Sequence, residues 1–158
     1  MCCMIETPHI VKTEPQLIAA IHITVPRAEI QLVMGPGLKE LGAAVAKQNV
    51  EVTGPWFTHH LRRPSDTFDF EICLPVSLPV TPAARVYAGE LPGMKVLRSV
   101  YQGGYQGLGA AWGEFDEWAR ANGHRVGEEL WERYIVGPDI SRDSADWRTE
   151  LNRPLISA

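Results

Sequence analysis

Cysteine is scarce in this chain of 158 residues: only Cys2, Cys3 and Cys73 occur, with no Cys-x-x-Cys and no spacing that gathers metal ligands. An odd number of thiols builds no disulfide framework and fits a reducing compartment, and the adjacent Cys2-Cys3 pair reads as incidental. Long hydrophobic runs are missing too. The longest, Leu17 to Val25, is interrupted by His22 and is too short to span a bilayer. It follows acidic Glu14 without a basic leader, so it is no signal peptide, and a cytoplasmic protein without membrane contact is expected. Positive charge is in deficit, with 15 Lys and Arg against 19 Asp and Glu. No helix carries a basic stripe, which argues against a nucleic-acid partner. Gly-x-Ser-x-Gly and His-Glu-x-x-His are absent, and the glycines from Gly103 to Gly109 lack the spacing of a phosphate-binding fingerprint and read as the start of a helix. The adjacent His59-His60 pair would face opposite sides of a strand and cannot grip one metal. No cofactor and no metal are expected.

What is present suits a soluble globular chain, 45% apolar and 22% charged, long enough for one domain built of two halves. Residues 1–13 lack periodicity and read as a loose start. Gln16 to Val25 reads as a core strand ended by Pro26. Arg27 to Met34 reads as a short helix interrupted by Gly35-Pro36-Gly37, with a second helix from about Pro36 to Asn49. Trp56 to Leu61 is a short strand. Phe68, Phe70, Ile72 and Leu74 alternate with Asp69, Glu71 and Cys73, the signature of a half-buried strand. Pro75, Pro79 and Pro82 mark a connector and the expected boundary between halves.

Leu91-Pro92-Gly93 predicts a turn joining Arg85–Glu90 and Met94–Tyr101 as a hairpin. Leu108, Ala111, Trp112, Phe115, Trp118 and Ala119 make one apolar helical stripe, stopped at Asn122-Gly123. Strands about Glu129–Val136 and Trp147–Arg153 follow.

The frame Glu71-Ile-Cys-Leu-Pro75-Val returns as Glu150-Leu-Asn-Arg-Pro154-Leu. Each copy is preceded by a short aromatic strand, a helix and an apolar strand. The chain therefore reads as an α+β fold: two pseudo-symmetric strand–helix–strand–strand modules with antiparallel sheets, over about 15–80 and 83–156 of a single 1–158 domain, around a central ligand pocket. Loop lengths leave the correspondence open by one residue, so either Phe57 or Thr58 stands against Glu132. Taking Phe57 against Trp131 sets Thr58 against Glu132 and His60 against Tyr134.

Leu130-Trp131-Glu132-Arg133-Tyr134 is the stretch with chemistry in it. On a strand Glu132 and Tyr134 share one face while Trp131 and Arg133 share the other. A carboxylate and a phenol side by side suit recognition of a cation or movement of a proton. The alternative is a surface glutamate paired with Arg133, Arg148 or Arg153. Glu71 and Glu150 read as solvated edge residues, and Trp112, Phe115 and Trp118 as core, with Trp112 in reach of a pocket.

Gly54-Pro55-Trp56-Phe57, Phe68-Asp69-Phe70-Glu71 through Pro75-Val76, Gly104-Tyr105, Trp131-Glu132-Arg133-Tyr134 and Glu150 through Pro154-Leu155 together resemble the GyrI-like family, which is similar to effector-binding domains of some AraC-type and MerR-type regulators. The resemblance spans roughly residues 15–156. It implies a pocket for drug-like, often cationic and aromatic small molecules, with Glu132 as the binding acid and Trp56, Trp131 and Tyr134 among the walls. Thr58, His60 and Trp112 complete the expected ligand-binding set. His59-His60 depart from the family, whose members often carry Tyr in that strand. Too few residues precede Gln16 for a DNA-binding helix pair, so ligand binding without transcriptional control is expected. Some stand-alone members resemble hydrolases that open cyclopropane rings of DNA-alkylating natural products, and that alternative makes Glu132 the acid or base and Tyr134 its hydrogen-bonding partner. A second alternative is a protein-interaction module that inhibits a target enzyme.

Overall fold

Residues 5–62 and 65–156 are described by a computed structural model, so the Cys2-Cys3 pair lies outside the described residues. The fold is α+β, with two contact-dense units, one of residues 14–93 and one of residues 1–13 with 94–158.

In the unit of residues 14–93, β2 (Gln16–Pro26) leads through a 3-10 turn into α1 (Ile30–Lys47), followed by β3 (Phe57–His60), β4 (Thr67–Pro75) and β5 (Val86–Leu91). Their antiparallel order is β3-β4-β2-β5. The alternation read from Phe68 to Leu74 is a core device: Phe70, Ile72 and Leu74 join Ala19, Ile21 and Ile23 of β2 beneath Leu41 and Val45 of α1. The expected break at Gly35-Pro36-Gly37 does not occur, and α1 runs through Pro36. The carbonyl four residues earlier, which loses its N–H partner, belongs to exposed Leu32 and can turn to water. Gly37 has a steric role, since a Cβ there would stand 2.7 Å from Ile72 Cδ1. The helix ends as anticipated, with Asn49 left-handed at φ 57°.

The other unit holds β1 (His9–Lys12), β6 (Lys95–Gln102), α2 (Leu108–Ala121), β7 (Leu130–Val136) and β8 (Arg148–Pro154), in the order β1-β6-β8-β7. Ala111, Phe115 and Ala119 of α2 pack on Leu97, Tyr101 and Leu151 of the sheet, with Ile5 added. The segment expected to be loose therefore contributes a strand: β1 pairs with β6, and Ile5 bridges Tyr101. The expected hairpin across Leu91-Pro92-Gly93 is absent. β5 pairs with β2, and β6 pairs with β1 and β8. Short-range turn chemistry lost here to pairing with long strands whose apolar faces were already buried.

Both units share one plan and one register. β3 meets β4 with Phe57 opposite Cys73, Thr58 opposite Ile72, His59 opposite Glu71 and His60 opposite Phe70. β7 meets β8 with Trp131 opposite Asn152, Glu132 opposite Leu151, Arg133 opposite Glu150 and Tyr134 opposite Thr149. Within the Glu71 and Glu150 frame, Phe57 is thus the positional equivalent of Trp131, Thr58 of Glu132 and His60 of Tyr134.

Glu71 and Glu150 are not solvated edge residues, because β4 is paired on both sides, by β2 and β3, and β8 likewise by β6 and β7. His59 Nδ1 lies 3.0 Å from Glu71 Oε1, and Arg133 Nη1 lies 3.2 Å from Glu150 Oε1. On the same face of β4, Asp69 accepts from His22 at 2.5 Å, from Thr24 at 3.2 Å and from Arg62 at 3.0 Å. His22 and then Arg62 hold its carboxyl below the ordinary range. A depressed folded value means a stabilisation present above the unfolded value of about 4 and lost as pH falls through the lower folded one. The denaturation midpoint should therefore fall with pH below about 4, and Asp69→Asn should flatten that limb. The expected change is small because His22 and Arg62 are largely exposed.

Candidate functional site

Five of the seven residues of β7 are apolar or aromatic, which buries it, and strand alternation then fixes what its polar groups can reach. Glu132 and Tyr134 face α2, on the side where Leu151 joins the helix-packed core. Glu132 is only 8% exposed. The Trp112 indole donates to Oε2 at 2.7 Å, and the Tyr134 hydroxyl donates to Oε1 at 2.7 Å. Both carboxylate oxygens are thus held by aromatic donors, one from the helix and one from the strand itself.

Among the described residues, Glu132 forms no ion pair. The arginines proposed as surface partners go elsewhere: Arg133 bonds Glu150 from the opposite face, and Arg153 bonds Asp116 of α2 at 2.6 Å and the Gly127 carbonyl at 2.5 Å. Arg148 is exposed and lies opposite Gln102 and Val136. Two neutral donors satisfy the hydrogen bonding of the carboxylate but supply no positive charge, which a cationic partner would add.

Aromatic rings extend the site. Tyr105, in the turn before α2, meets the Tyr134 ring edge-on at 5.7 Å and the Trp147 ring at 4.8 Å. Trp112 packs edge-to-face on Phe115 at 5.2 Å. Burial pushes the Tyr105 phenol above its ordinary range, and the charges of Asp139 and Glu132 add to that. Opposite Tyr134 on β8, fully buried Thr149 has an Oγ1 with no hydrogen-bond partner among the described residues.

Of the residues expected at the site, Glu132, Tyr134 and Trp112 come together. Trp131 does not join them: it is buried on the opposite face of β7, beside Asn152. Trp56, Thr58 and His60 belong to the unit of residues 14–93. Trp56 packs against its core, Thr58 is buried on the α1 side of β3, and His60 stacks on Phe70 at 5.3 Å. Tyr105 and Trp147 were not among the residues expected at the site, although Gly104-Tyr105 is one of the motifs that carry the resemblance. The signals for them were that motif at the start of the helix and a tryptophan leading into the strand that pairs with β7. Among the described residues, no cluster of three or more His, Cys, Asp or Glu could hold a metal, and no helix is long and apolar enough to cross a membrane. Chemically, the site can neutralise a flat cation, or exchange a proton at Glu132 while Tyr134 hydrogen-bonds a second atom.

Solved structures with the same fold include the EcmrR C-terminal domain, with TM-score 0.81 and 20% identity over 96% of this chain and 98% of that one. The EcmrR–DNA complex matches 99% of this chain with TM-score 0.83 and 20% identity, and this chain spans 59% of the EcmrR length there. A hydrolase encoded by lin2189 from Listeria innocua matches with TM-score 0.69 and 12% identity over 95% of this chain and 92% of that one. SAV2435 bound to tetraphenylphosphonium matches with TM-score 0.64 and 11% identity over 95% of this chain and 94% of that one. No curated protein sequence matches the chain. The GyrI-like small molecule binding domain matches residues 6–155, nearly the whole sequence, and the chain belongs to the GyrI-like family.

Proposed function

We propose that this small-molecule binding domain takes cationic aromatic ligands, with Glu132 as their counter-ion. The observation that carries the reading is a carboxylate 8% exposed, held by two aromatic donors and paired with no cation among the described residues. A delocalised organic cation supplies the missing charge, and rings such as Trp112, Tyr134 and Tyr105 add about 0.5–2 kcal/mol each through cation–π attraction. Neither interaction demands a fixed donor map, so the site tolerates ligands of varied shape. The likeness to SAV2435, which was solved with tetraphenylphosphonium, supports the same reading.

The test is a fluorescence titration of the full chain with a rhodamine dye, competed with tetraphenylphosphonium and with neutral triphenylphosphine oxide. Saturable binding is expected, displaced by the cation at least about tenfold better than by the neutral compound. No saturation, or equal competition by both, refutes the proposal. Trp112→Phe keeps an aromatic ring but removes the indole donor from Glu132 Oε2. Dye affinity should then rise several-fold, in line with about 1 kcal/mol for one hydrogen bond that no longer competes with the ligand.

The 2.7 Å contact of Tyr134 with Glu132 favours one second reading, hydrolysis of a strained or activated ligand. Glu132 would orient water while Tyr134 polarises the ligand, and the fold likeness to the Listeria hydrolase is in keeping with it.

A further inference from the structure

The sheet face of β6, β8 and β7 turned away from α2 carries a polar cluster that the small-molecule reading does not use. Three nitrogens surround one oxygen, Glu150 Oε1: Arg133 Nη1 donates at 3.2 Å and Asn152 Nδ2 at 3.1 Å, while Arg98 Nε lies at ion-pair distance, 3.3 Å. Arg98 Nε donates its hydrogen bond, 2.7 Å, to the neutral Asn152 Oδ1. Two guanidiniums therefore share one carboxylate, and the cluster keeps an excess positive charge.

Comparison of the two units separates what the fold needs from what it does not. A basic group opposite the Glu of the repeated frame occurs in both, as His59 with Glu71 and as Arg133 with Glu150. The second cation does not. By register, Arg98 and Asn152 occupy the places that Ala20 and Cys73 fill in the other unit, and those two are fully buried small residues. The same plan is thus built without a buried amide and an extra guanidinium, both costly to desolvate. Asn152 is fully buried, yet the Arg98 and Arg133 side chains keep 20% and 32% of their exposure, enough to meet a ligand from solvent. The terminal nitrogens of Arg98, and Nε and Nη2 of Arg133, have no hydrogen-bond partner among the described residues. His9, opposite Arg98 on β1, is exposed beside them.

We infer that Arg98 and Arg133 hold a small oxyanion, a phosphate or carboxylate group, on the face of this sheet opposite α2. Guanidinium forks match such groups with two parallel N–H bonds each, and the anion neutralises the charge that Glu150 leaves over. Burial already pulls the Arg98 guanidinium below its ordinary range; Glu150 opposes that shift and Arg133 adds to it. This site is independent of Glu132, which looks the other way from β7.

The test titrates the full chain with inorganic phosphate and, separately, with benzoate, at an ionic strength held constant with chloride, while following the Nε–H resonances of Arg98 and Arg133. A saturable shift is expected. It should weaken at least about tenfold in Arg98→Ala/Asn152→Cys, which installs the pair the other unit already folds with, and also in Arg133→His, which installs its His59. Saturation by phosphate alone assigns a phosphate-bearing ligand, by benzoate alone a carboxylate. No saturation with either anion, or the same titration in the wild type and both variants, overturns the inference.

Discussion

Glu132→Gln should lower the affinity for a monovalent aromatic cation by about tenfold to a hundredfold, the range expected when a charge-assisted contact of about 1.5–3 kcal/mol is lost. Affinity for a neutral ligand of the same shape should stay within about twofold. The substitution is informative because the site can accept it. Trp112 can only donate, so the new amide must turn its oxygen toward the indole. Its NH2 group then faces the Tyr134 hydroxyl, which can rotate from donating to accepting. Both hydrogen bonds survive and only the charge is removed. Under the hydrolytic reading the same variant should bind neutral substrate and fail to turn it over. Unchanged dye binding in Glu132→Gln, with no turnover lost, would leave Glu132 as a satisfied core acid.

Much of this site was legible in the sequence, for reasons that are local. Strand alternation placed Glu132 beside Tyr134, although the same alternation turns Trp131, which the resemblance put among the walls, to the other face, and the i, i+3, i+4 stripe placed Trp112 on the sheet-facing side of α2. If the Glu71 and Glu150 frames are set against each other, the strand pairings bring Phe57 to the position of Trp131. The errors are non-local. Nothing near Leu91-Pro92-Gly93 reveals that β5 pairs with β2, or that β1 pairs with β6. Each unit takes its fourth strand from the segment that precedes the other unit's first strand, a pairing over long separations that no window of sequence encodes. Pro36 failed as a helix breaker because its effect depends on whether the orphaned carbonyl meets water, which is set by tertiary burial. Tyr105 and Trp147 were missed because they reach the site from loops, whose paths follow from the strands they join.

Asp116→Ala should cost about 3–5 kcal/mol of stability, the largest loss expected from any surface-proximal substitution here. Its partner Arg153 is 4% exposed, so the guanidinium would lose the Asp116 Oδ1 contact at 2.6 Å and keep only the Gly127 carbonyl. Arg153 Nε has no hydrogen-bond partner among the described residues, which leaves no reserve of bonding to absorb the loss. The other unit again suggests the compensating change: by register Arg153 stands where β4 has Leu74, a residue packed in the apolar core under α1. Arg153→Leu added to Asp116→Ala should therefore recover most of the stability, because replacing a whole buried pair by apolar groups is close to neutral whereas breaking it is not. Denaturant midpoints at a constant m-value read both numbers. The pair also bears on function, since Asp116 sits one turn beyond Trp112 and ties that part of α2 to β8, the strand alongside Glu132. If the ion pair sets where the indole stands, Asp116→Ala should shift the tryptophan emission and weaken the Trp112–Glu132 contact at temperatures well below unfolding, and the double variant should restore stability without restoring that emission. Recovery of both together would make the pair a structural tie with no hold on Trp112.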